Sequence, residues 1–421
     1  MKKPHLTPRI AAVYLLDEVL GEGRLMSELL AAGTLQALPP ADRARAQRLA
    51  GDTLRGLERA DRLLSRHLRK PPPLPVRNVL RTATVELALG GDAHGVVNEA
   101  VEMTGRHPRH NRLKALVNAV LRKMVDEAPR KWSDLRQPGL PGWLREPLVE
   151  AWGKAPVAAM ERAHFAGAPL DLTVKADPAA WAERLGGTVL PTGTVRLQEA
   201  TQISTLPGFE TGDWWVQDAA AALPVKVLAP EPDEQVLDLC AAPGGKTLQL
   251  AAMGAHVTAL DISERRMARV TENLARTGLT AECVVGDALT HADQYDAILC
   301  DAPCSATGTI RRHPDLPHAK DGSDFGALIA LQAAMIDHAL TLLRPGGRLV
   351  FCTCSLLPDE GECQVEAALD RHPGLAVDRA SLDLPGVDPA WITDEGGLRL
   401  RPDFWPELGG MDGFYIACLR V

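Results

Sequence analysis

A regular alternation of short apolar strands and helical segments, which starts near residue 230, constrains the fold of this chain more than any other feature. The pattern predicts strands and helices in turn over 235–239, 245–253, 256–260, 263–277, 281–284, 296–300, 325–343, 347–352 and 359–370, with a last strand over 413–417. Such alternation implies a mostly parallel sheet with helices on both faces. Residues 226–421 are therefore predicted to form one α/β domain.

The first of these strands runs into a sharp turn within Val236-Leu-Asp-Leu-Cys-Ala-Ala-Pro-Gly-Gly-Lys246. A turn over Pro243-Gly-Gly245 lets backbone N–H groups and a helix N-terminus come close to a bound cofactor. The turn lacks the Gly-x-Gly-x-x-Gly spacing of dinucleotide sites and the spacing of a Walker phosphate loop, and its proline removes a backbone donor. The predicted ligand is therefore S-adenosylmethionine (SAM), a nucleoside without a phosphate.

Carboxylates follow the strand ends at the same edge of the predicted sheet. Asp261 lies about 20 residues after the turn, where a carboxylate meets ribose hydroxyls in nucleoside sites. Asp287 and Asp301 follow the next two strands. Taken singly, Asp261 could cap the helix that starts at Ser263, a role it could combine with ribose binding, and Asp287 could be an ordinary turn residue. Three acidic strand ends beside one glycine turn favour a nucleoside site.

All eight cysteines lie from Cys240 onward, and none has the spacing of a zinc site, so no metal is predicted. Two thiols follow strand ends, where open α/β sheets bind ligands. They are Cys304 in Asp301-Ala-Pro-Cys304 and Cys354 in Cys352-Thr-Cys354-Ser355. The position of both predicts a group-transfer enzyme with a thiol nucleophile, and two buried inert thiols are the alternative.

The cysteine after Pro303 also selects among methyl-transfer reactions. Methylation of an exocyclic amine needs an acceptor for the amine hydrogens and an aromatic stacking residue, and neither follows Pro303. Carbon 5 of cytosine becomes nucleophilic only after a thiolate adds to carbon 6, and methyl transfer, proton loss and thiol elimination then complete the cycle. Two thiols and a carboxylate suit this chemistry. The spacing alone leaves open which thiol attacks.

The first 130 residues read as helices throughout. Thr7-Pro8 provides a helix cap followed by a proline at the first helical position, and apolar residues then recur at helical spacing. Further helices are predicted over 41–69, 76–89, 95–105 and 110–125. This part carries 22 Lys and Arg against 14 Asp and Glu, although the whole chain has a net charge of −8. A basic helical module that meets a polyanion is predicted, and a solvated arginine-rich face is the alternative.

Residues 131–225 differ from both flanking parts. Six tryptophans lie among prolines and short β-like runs such as Leu170-Asp-Leu-Thr-Val174. We predict a small α+β connector, in which most of the tryptophans pack in a core.

At this point the motifs resemble those of the RNA cytosine-5 methyltransferases. In the C-terminal part the resemblance rests on Leu237-Asp-Leu-Cys-Ala-Ala-Pro-Gly-Gly-Lys-Thr247, Asp261, Arg266, Asn273, Gly278, Gly286-Asp287, Asp301-Ala-Pro-Cys-Ser-Ala-Thr-Gly308, Arg311-Arg-His-Pro-Asp315, Cys352-Thr-Cys-Ser355 and Asp412-Gly-Phe-Tyr415. The N-terminal helices are similar to a NusB-type RNA-binding bundle at Val97-Asn-Glu-Ala-Val101 and Leu116-Val-Asn-Ala-Val-Leu-Arg122. The connector matches the family at Trp215-Val-Gln-Asp218. It departs from the family at Leu172-Thr-Val-Lys175, a segment that in the family usually ends with Arg-Val-Asn, so the family's RNA contacts are not carried over to the connector.

The resemblance implies a multidomain chain. It consists of an all-α NusB-like bundle (1–130), a small α+β connector (131–225) and a C-terminal α/β Rossmann-like SAM-dependent methyltransferase domain (226–421). It further implies that Cys354 is the covalent nucleophile and that Cys304 assists proton removal or product release, with Asp301 in the same catalytic set. The other cysteines are expected to be inert.

By the same resemblance, SAM is held by residues of the glycine turn and of the strand ends: Cys240, Ala241, Ala242, Pro243, Gly244, Gly245, Lys246, Asp261, Arg266, Asp287 and Asp301. Lys246 is also suited to orient Asp301 or a thiolate. Arg311-Arg-His313 is expected to face RNA phosphate or the flipped base, with a solvated loop as the alternative.

The implied substrate is a cytosine of 16S (small-subunit) ribosomal RNA, free or in an early assembly intermediate, because a base inside a structured helix must be exposed or flipped out. A transfer RNA or 23S rRNA substrate, and a non-catalytic RNA-binding assembly factor, remain open alternatives. No apolar run reaches the roughly 18 residues that a membrane span needs. We therefore expect a soluble, cytoplasmic and monomeric protein without a membrane partner.

Overall fold

The computed structural model describes residues 6–198 and 202–421. Contacts divide the chain into two compact units. The first unit holds the residues up to Glu146 together with His164–Ala166 and Arg312–Asp321, and the second holds Pro147–Ala163, Gly167–Arg311 and Gly322–Val421. The division into 1–130, 131–225 and 226–421 stays a prediction.

The first unit is a helical bundle, as the sequence predicts. Its helices are α1 (Pro8–Glu22), α2 (Met26–Ala31), α3 (Pro40–Arg55), α4 (Leu57–Ser65), α5 (Leu74–Ala88), α6 (Ala93–Arg106), α7 (Lys114–Lys131) and the short α14 (Leu316–Ala319). The Thr7 side chain accepts a hydrogen bond from the Ile10 N–H, so the predicted start of α1 is confirmed. The helix predicted over 41–69 is interrupted at Gly56. A Cβ there would lie 2.7 Å from the Trp132 ring, so only glycine allows this approach.

The second unit begins with helices that it shares with the first, α8 (Gly142–Trp152) and α9 (Lys154–Ala166). A small antiparallel sheet follows. Its strands are β1 (Leu170–Val174), β2 (Thr188–Val189), β3 (Val195–Leu197) and β4 (Trp214–Val216), in the order β2-β3-β1-β4, with α10 (Pro178–Leu185) beside them. Trp214 and Trp215 are buried, as expected of core residues. Lys175, where the motif departs from the family, donates to the Thr277 carbonyl oxygen.

The rest of the second unit is a large mixed sheet covered by helices. Its elements are α11 (Leu223–Leu228), β5 (Gln235–Leu239), α12 (Gly245–Ala252), β6 (His256–Asp261), α13 (Glu264–Thr277), β7 (Glu282–Val285), β8 (Tyr295–Asp301), α15 (Phe325–Thr341), β9 (Leu343–Thr353), α16 (Glu362–Arg371), β10 (Ala376–Val377), β11 (Leu398–Leu400) and β12 (Phe414–Arg420). The strand order is β10-β12-β9-β8-β5-β6-β7, and β11 pairs with β12.

Strands β9, β8, β5, β6 and β7 are mutually parallel, and β12 joins the sheet antiparallel to β9. This arrangement confirms the predicted Rossmann-like domain. Val236 and Leu237 are adjacent in β5 and belong to two different clusters of buried apolar residues. These two clusters are the layers of the hydrophobic core on the two faces of the sheet. Because parallel strands end at one edge, the segments after β5, β6, β8 and β9 meet there. Within the described residues, no helix is both long and apolar enough to cross a membrane.

Candidate active site

The turn after β5 is fixed by its neighbours. The Ala241 N–H donates to the Leu260 carbonyl oxygen over 3.0 Å, which ties the turn to β6. Gly244 has a φ of 104°, and a Cβ at this position would lie 3.3 Å from the Val270 Cα of α13. Only glycine adopts this conformation so close to a helix without strain. The turn therefore presents a fixed backbone at the start of α12.

Asp261 connects the turn with α13. Its Oδ2 accepts from the Ala242 N–H over 3.2 Å and lies 3.2 Å from a guanidinium nitrogen of Arg266, which in turn donates to the Ala242 carbonyl oxygen over 2.8 Å. Its Oδ1 accepts from the Ser263 N–H over 2.9 Å. Ser263 itself caps α13, so the alternative reading of Asp261 as the helix cap is wrong. Asp261 therefore holds the turn in place, and Arg266 contacts both Asp261 and the turn.

The neighbouring strand end adds an exposed carboxylate and exposed apolar side chains. Asp287 caps a short 3₁₀ turn, and the Gly286 N–H donates to the Asp261 carbonyl oxygen over 3.2 Å, which keeps Asp287 beside Asp261. Ile262 is 71% exposed and Val285 50% exposed. Neither residue was among the predicted site residues, although the isoleucine directly after Asp261 was an available signal.

Lys246 faces the end of β8. Its Nζ lies 2.8 Å from Asp301 Oδ2, so the predicted contact with Asp301 is present. Burial works to lower the pKa of Lys246, but the Asp301 carboxylate raises it above its ordinary value. The Cys352 thiol lies 3.5 Å from the other oxygen of Asp301. Lys246 therefore stays charged and holds the Asp301 carboxylate in position.

The ends of β8 and β9 bring two thiols together. Cys304 Sγ and Cys354 Sγ are 3.4 Å apart, and both residues are half-buried. The hydrogen bond to Cys354, together with burial, raises the pKa of the Cys304 thiol well above its ordinary value. Cys304 is therefore a thiol that keeps its proton, next to a second sulfur at hydrogen-bond distance.

Burial raises the pKa of several other cysteines, to about 12 for Cys240 and well above the ordinary value for Cys300 and Cys352. This agrees with the inert role predicted for them, because the thiolate is the reactive form. Among the described residues, no cluster of side chains could hold a metal ion.

The structure contradicts the prediction that Arg311 faces RNA. Its side chain is fully buried, where Nε donates to Asp412 Oδ1 over 2.8 Å and the other end of the guanidinium contacts Asp218 and the Gly409 carbonyl oxygen. The two aspartates are far apart in the sequence, which is why the pattern gave no sign of this cluster. Arg312 is exposed and His313 partly buried, and the RNA contacts of these two residues stay a prediction.

Comparisons with known proteins agree with this geometry. The family described as 16S rRNA methyltransferase RsmB/F matches residues 225–420, and the NusB family matches residues 6–126. Ribosomal RNA small subunit methyltransferase B of Vibrio cholerae is 38% identical over 78% of this chain and 76% of its own length. The protein of the same name from Vibrio vulnificus is 34% identical over 98% of both chains.

Two solved structures share the fold. The crystal structure of PH0851 covers all of both chains with a TM-score of 0.75 at 23% identity. A methyltransferase homologue from Pyrococcus horikoshii aligns with 65% of this chain and 93% of its own, with a TM-score of 0.55 at 29% identity.

The Rossmann-like sheet agrees with the family matches, which place this chain among the SAM-dependent RNA methyltransferases. The match over most of the chain is specific enough to go further. The chain belongs to the RsmB/F family of 16S rRNA methyltransferases and carries a NusB domain at its N-terminus.

Proposed function

We propose that this protein methylates carbon 5 of a cytosine in 16S rRNA through a covalent bond between Cys354 and carbon 6 of the base. The observation that carries the proposal is the pair of thiols 3.4 Å apart, at the strand edge that also holds the glycine turn. The names of the curated relatives supply the RNA class. We further propose that the protein acts in the cytoplasm and as a monomer.

The residues at the strand edge fit SAM. The exposed Asp287 and the buried Asp261 offer carboxylates beside the turn, and the exposed Ile262 and Val285 offer an apolar surface of the kind that an adenine ring covers. We propose that these residues hold the cofactor together with the turn from Cys240 to Lys246 and with Asp301. When bound, SAM supplies the methyl group as an electrophile.

The thiols and Asp301 divide the remaining work. The Cys354 thiolate forms a bond to carbon 6, which gives carbon 5 enamine character. After methylation, loss of the carbon 5 proton and cleavage of the sulfur–carbon bond restore the aromatic ring. Cys304 lies next to the attacking sulfur with its proton retained, so it is placed to give that proton to Cys354 as the sulfur–carbon bond breaks, and the Cys304 thiolate so formed takes the carbon 5 proton. Asp301, held by Lys246, provides the polar partner for ring N3.

Two cysteine variants test the division of roles. Cys354→Ala should abolish methylation, because no covalent bond to carbon 6 forms. Cys304→Ala should still attack but release slowly, and leave a protein–RNA adduct that survives denaturing electrophoresis. Cys363→Ala removes an exposed cysteine outside the site and serves as the control. An adduct that accumulates in Cys354→Ala and not in Cys304→Ala would reverse the assignment.

The same proposal gives the helical unit a role in RNA capture. The turn between α6 and α7 carries Arg109, Arg112 and Lys114, all exposed, and none has a carboxylate at ion-pair distance in the part of the chain that the structure describes. Arg112 and Lys114 line an open cleft of about 640 Å³ with Arg106, which is paired with Glu102 of the same cleft, so Arg112 and Lys114 carry its uncompensated charge. Uncompensated positive charge on an open surface is what binding to RNA phosphates requires.

Charge reversal in the full chain tests this role. Arg109→Glu with Arg112→Glu should weaken RNA binding, and should lower the slope of log K against log salt by about 0.7–0.9 for each phosphate that the variant no longer neutralises. SAM binding should not change, because every proposed cofactor residue belongs to the second unit. The control is Arg265→Glu with Arg269→Glu, two exposed arginines of α13. Equal weakening of RNA binding by both pairs would mean that only net charge matters.

A further inference from the structure

Glu360 is a carboxylate that neither the motifs nor the proposed chemistry explains. It lies between β9 and α16, and it is fully buried. Four donors surround its two oxygens. Oε1 accepts from the Ser305 N–H over 2.9 Å and from the Gln332 side-chain amide over 3.0 Å. Oε2 accepts from the Ser305 and Ser355 hydroxyls, each over 2.5 Å.

Two of the residues that donate to Glu360 lie next to the two thiols in the sequence. Ser305 directly follows Cys304, and Ser355 directly follows Cys354. One oxygen of Glu360 thus holds the residue after each thiol. Gln332 extends the arrangement, since its amide also donates to the Pro303 carbonyl oxygen over 2.8 Å. The two segments that carry the thiols come from different strands, and Glu360 is a common acceptor for both.

Further contacts make the junction rigid. The Gly308 N–H donates to the Cys354 carbonyl oxygen over 2.9 Å, and the Leu356 N–H donates to Thr307 Oγ1 over 2.9 Å. A Cβ on Gly308 would lie 2.0 Å from the Gly413 carbonyl oxygen, so the chain packs too closely there for any other residue. The distance between the thiols therefore depends on these contacts together with the hydrogen bonds that converge on Glu360.

The charge of Glu360 acts on the Cys304 thiol, in addition to the hydrogen bonds that its carboxylate accepts. No Lys, Arg or His lies within ion-pair distance of Glu360 in the described parts of the chain, so only dipolar donors compensate its charge. After the hydrogen bond to Cys354, burial and the charge of Cys354, the nearby Glu360 carboxylate is a further cause that raises the pKa of Cys304. A buried charge is weakly screened, so the Glu360 carboxylate adds to these stronger causes.

We propose that Glu360 is a positioning residue that fixes the spacing of Cys304 and Cys354. The inference rests on the proposed function for its catalytic meaning. Its structural content, the spacing of the two thiols and the reactivity of Cys304, can be measured without RNA.

Glu360→Gln tests the proposal, because it removes the charge and preserves the shape. Methylation should show a kcat lowered about 10- to 100-fold with KM for SAM and RNA unchanged, since misplacing reacting groups by about 1 Å costs up to about 100-fold. Alkylation of Cys304 by iodoacetamide, followed by mass spectrometry against pH, should begin at a lower pH than in the wild type. Diamide, which takes two hydrogens from a pair of thiols, should form the Cys304–Cys354 disulfide more slowly when each protein is measured at a pH that gives equal alkylation of Cys304.

Glu234→Gln is the matched control, because Glu234 is a carboxylate of the same unit that pairs with Arg348 and touches neither thiol segment. It should leave all three readouts unchanged. If Glu360→Gln does not fold, Ser305→Ala removes one hydroxyl donor and should shift the same readouts by less. Unchanged alkylation and disulfide formation in the folded variant would overturn the proposal, whatever happens to kcat. Altered thiol readouts in a protein whose wild type methylates no RNA would contradict the proposed function alone.

Discussion

Replacement of Arg311 should destabilise the second unit strongly. The guanidinium is fully buried and bridges Asp218 and Asp412, and it also donates to the Gly409 carbonyl oxygen over 2.9 Å. Arg311→Ala would leave two buried carboxylates without their common partner. Removal of one partner from a buried ion pair costs about 3–5 kcal/mol, which is roughly a 10²- to 10⁴-fold change in the ratio of folded to unfolded protein.

Urea unfolding followed by tryptophan fluorescence measures this destabilisation, because six of the eight tryptophans, the buried Trp214 and Trp215 among them, belong to the second unit. Arg311→Lys keeps the charge but not the planar fork, so it should be less destabilising than Arg311→Ala. Arg312→Ala is the neighbouring control, since its side chain is exposed and surface changes usually stay within about 0.5 kcal/mol. A folded Arg311→Ala protein of unchanged stability that binds RNA weakly would refute the reasoning and restore the role of Arg311 as an RNA contact.

Two other substitutions give separate tests. Asp261→Ala should lower SAM affinity by well over tenfold, as measured by calorimetry. The substitution removes charge-assisted hydrogen bonds worth about 1.5–3 kcal/mol each, and it removes the hydrogen bond from the Ala242 N–H that holds the turn in place. Unchanged affinity in a folded variant would exclude Asp261 from the SAM site. Burial lowers the pKa of His313 from 6.5 to about 4, so the unfolded chain binds a proton that the folded chain does not, and stability should fall as the pH drops from 6.5 to 4. His313→Asn should flatten the pH dependence of the free energy of unfolding between pH 6.5 and 4, and the same pH dependence in both proteins would contradict the lowered pKa. Burial raises the pKa of Asp238 from 3.8 to about 7, so Asp238 contributes to this dependence with the opposite sign. Its contribution is the same in both proteins and cancels in the comparison.

The sequence by itself determined the elements of this protein and the edge at which its chemistry lies. Strand and helix periods are local properties, so the helical first part, the alternating second part and the helix start at Thr7 could all be read directly. The glycine turn, Asp261 and both thiols follow predicted strands, and parallel strands bring such positions together whatever the details of packing.

Tertiary structure decided which polar groups meet. The sequence motif that contains Arg311 predicts a contact with RNA. In the structure Arg311 is buried and pairs with two aspartates, each about 100 residues away in the sequence, one before it and one after it. Glu360 carries no local signal, and it becomes informative only because Ser305 and Ser355 converge on it from different strands. Gly56 lies between two helices, and only a glycine fits there because the distant Trp132 occupies the space of a Cβ. Burial and hydrogen bonding between distant residues depend on close packing in three dimensions, and no periodicity in the chain encodes them.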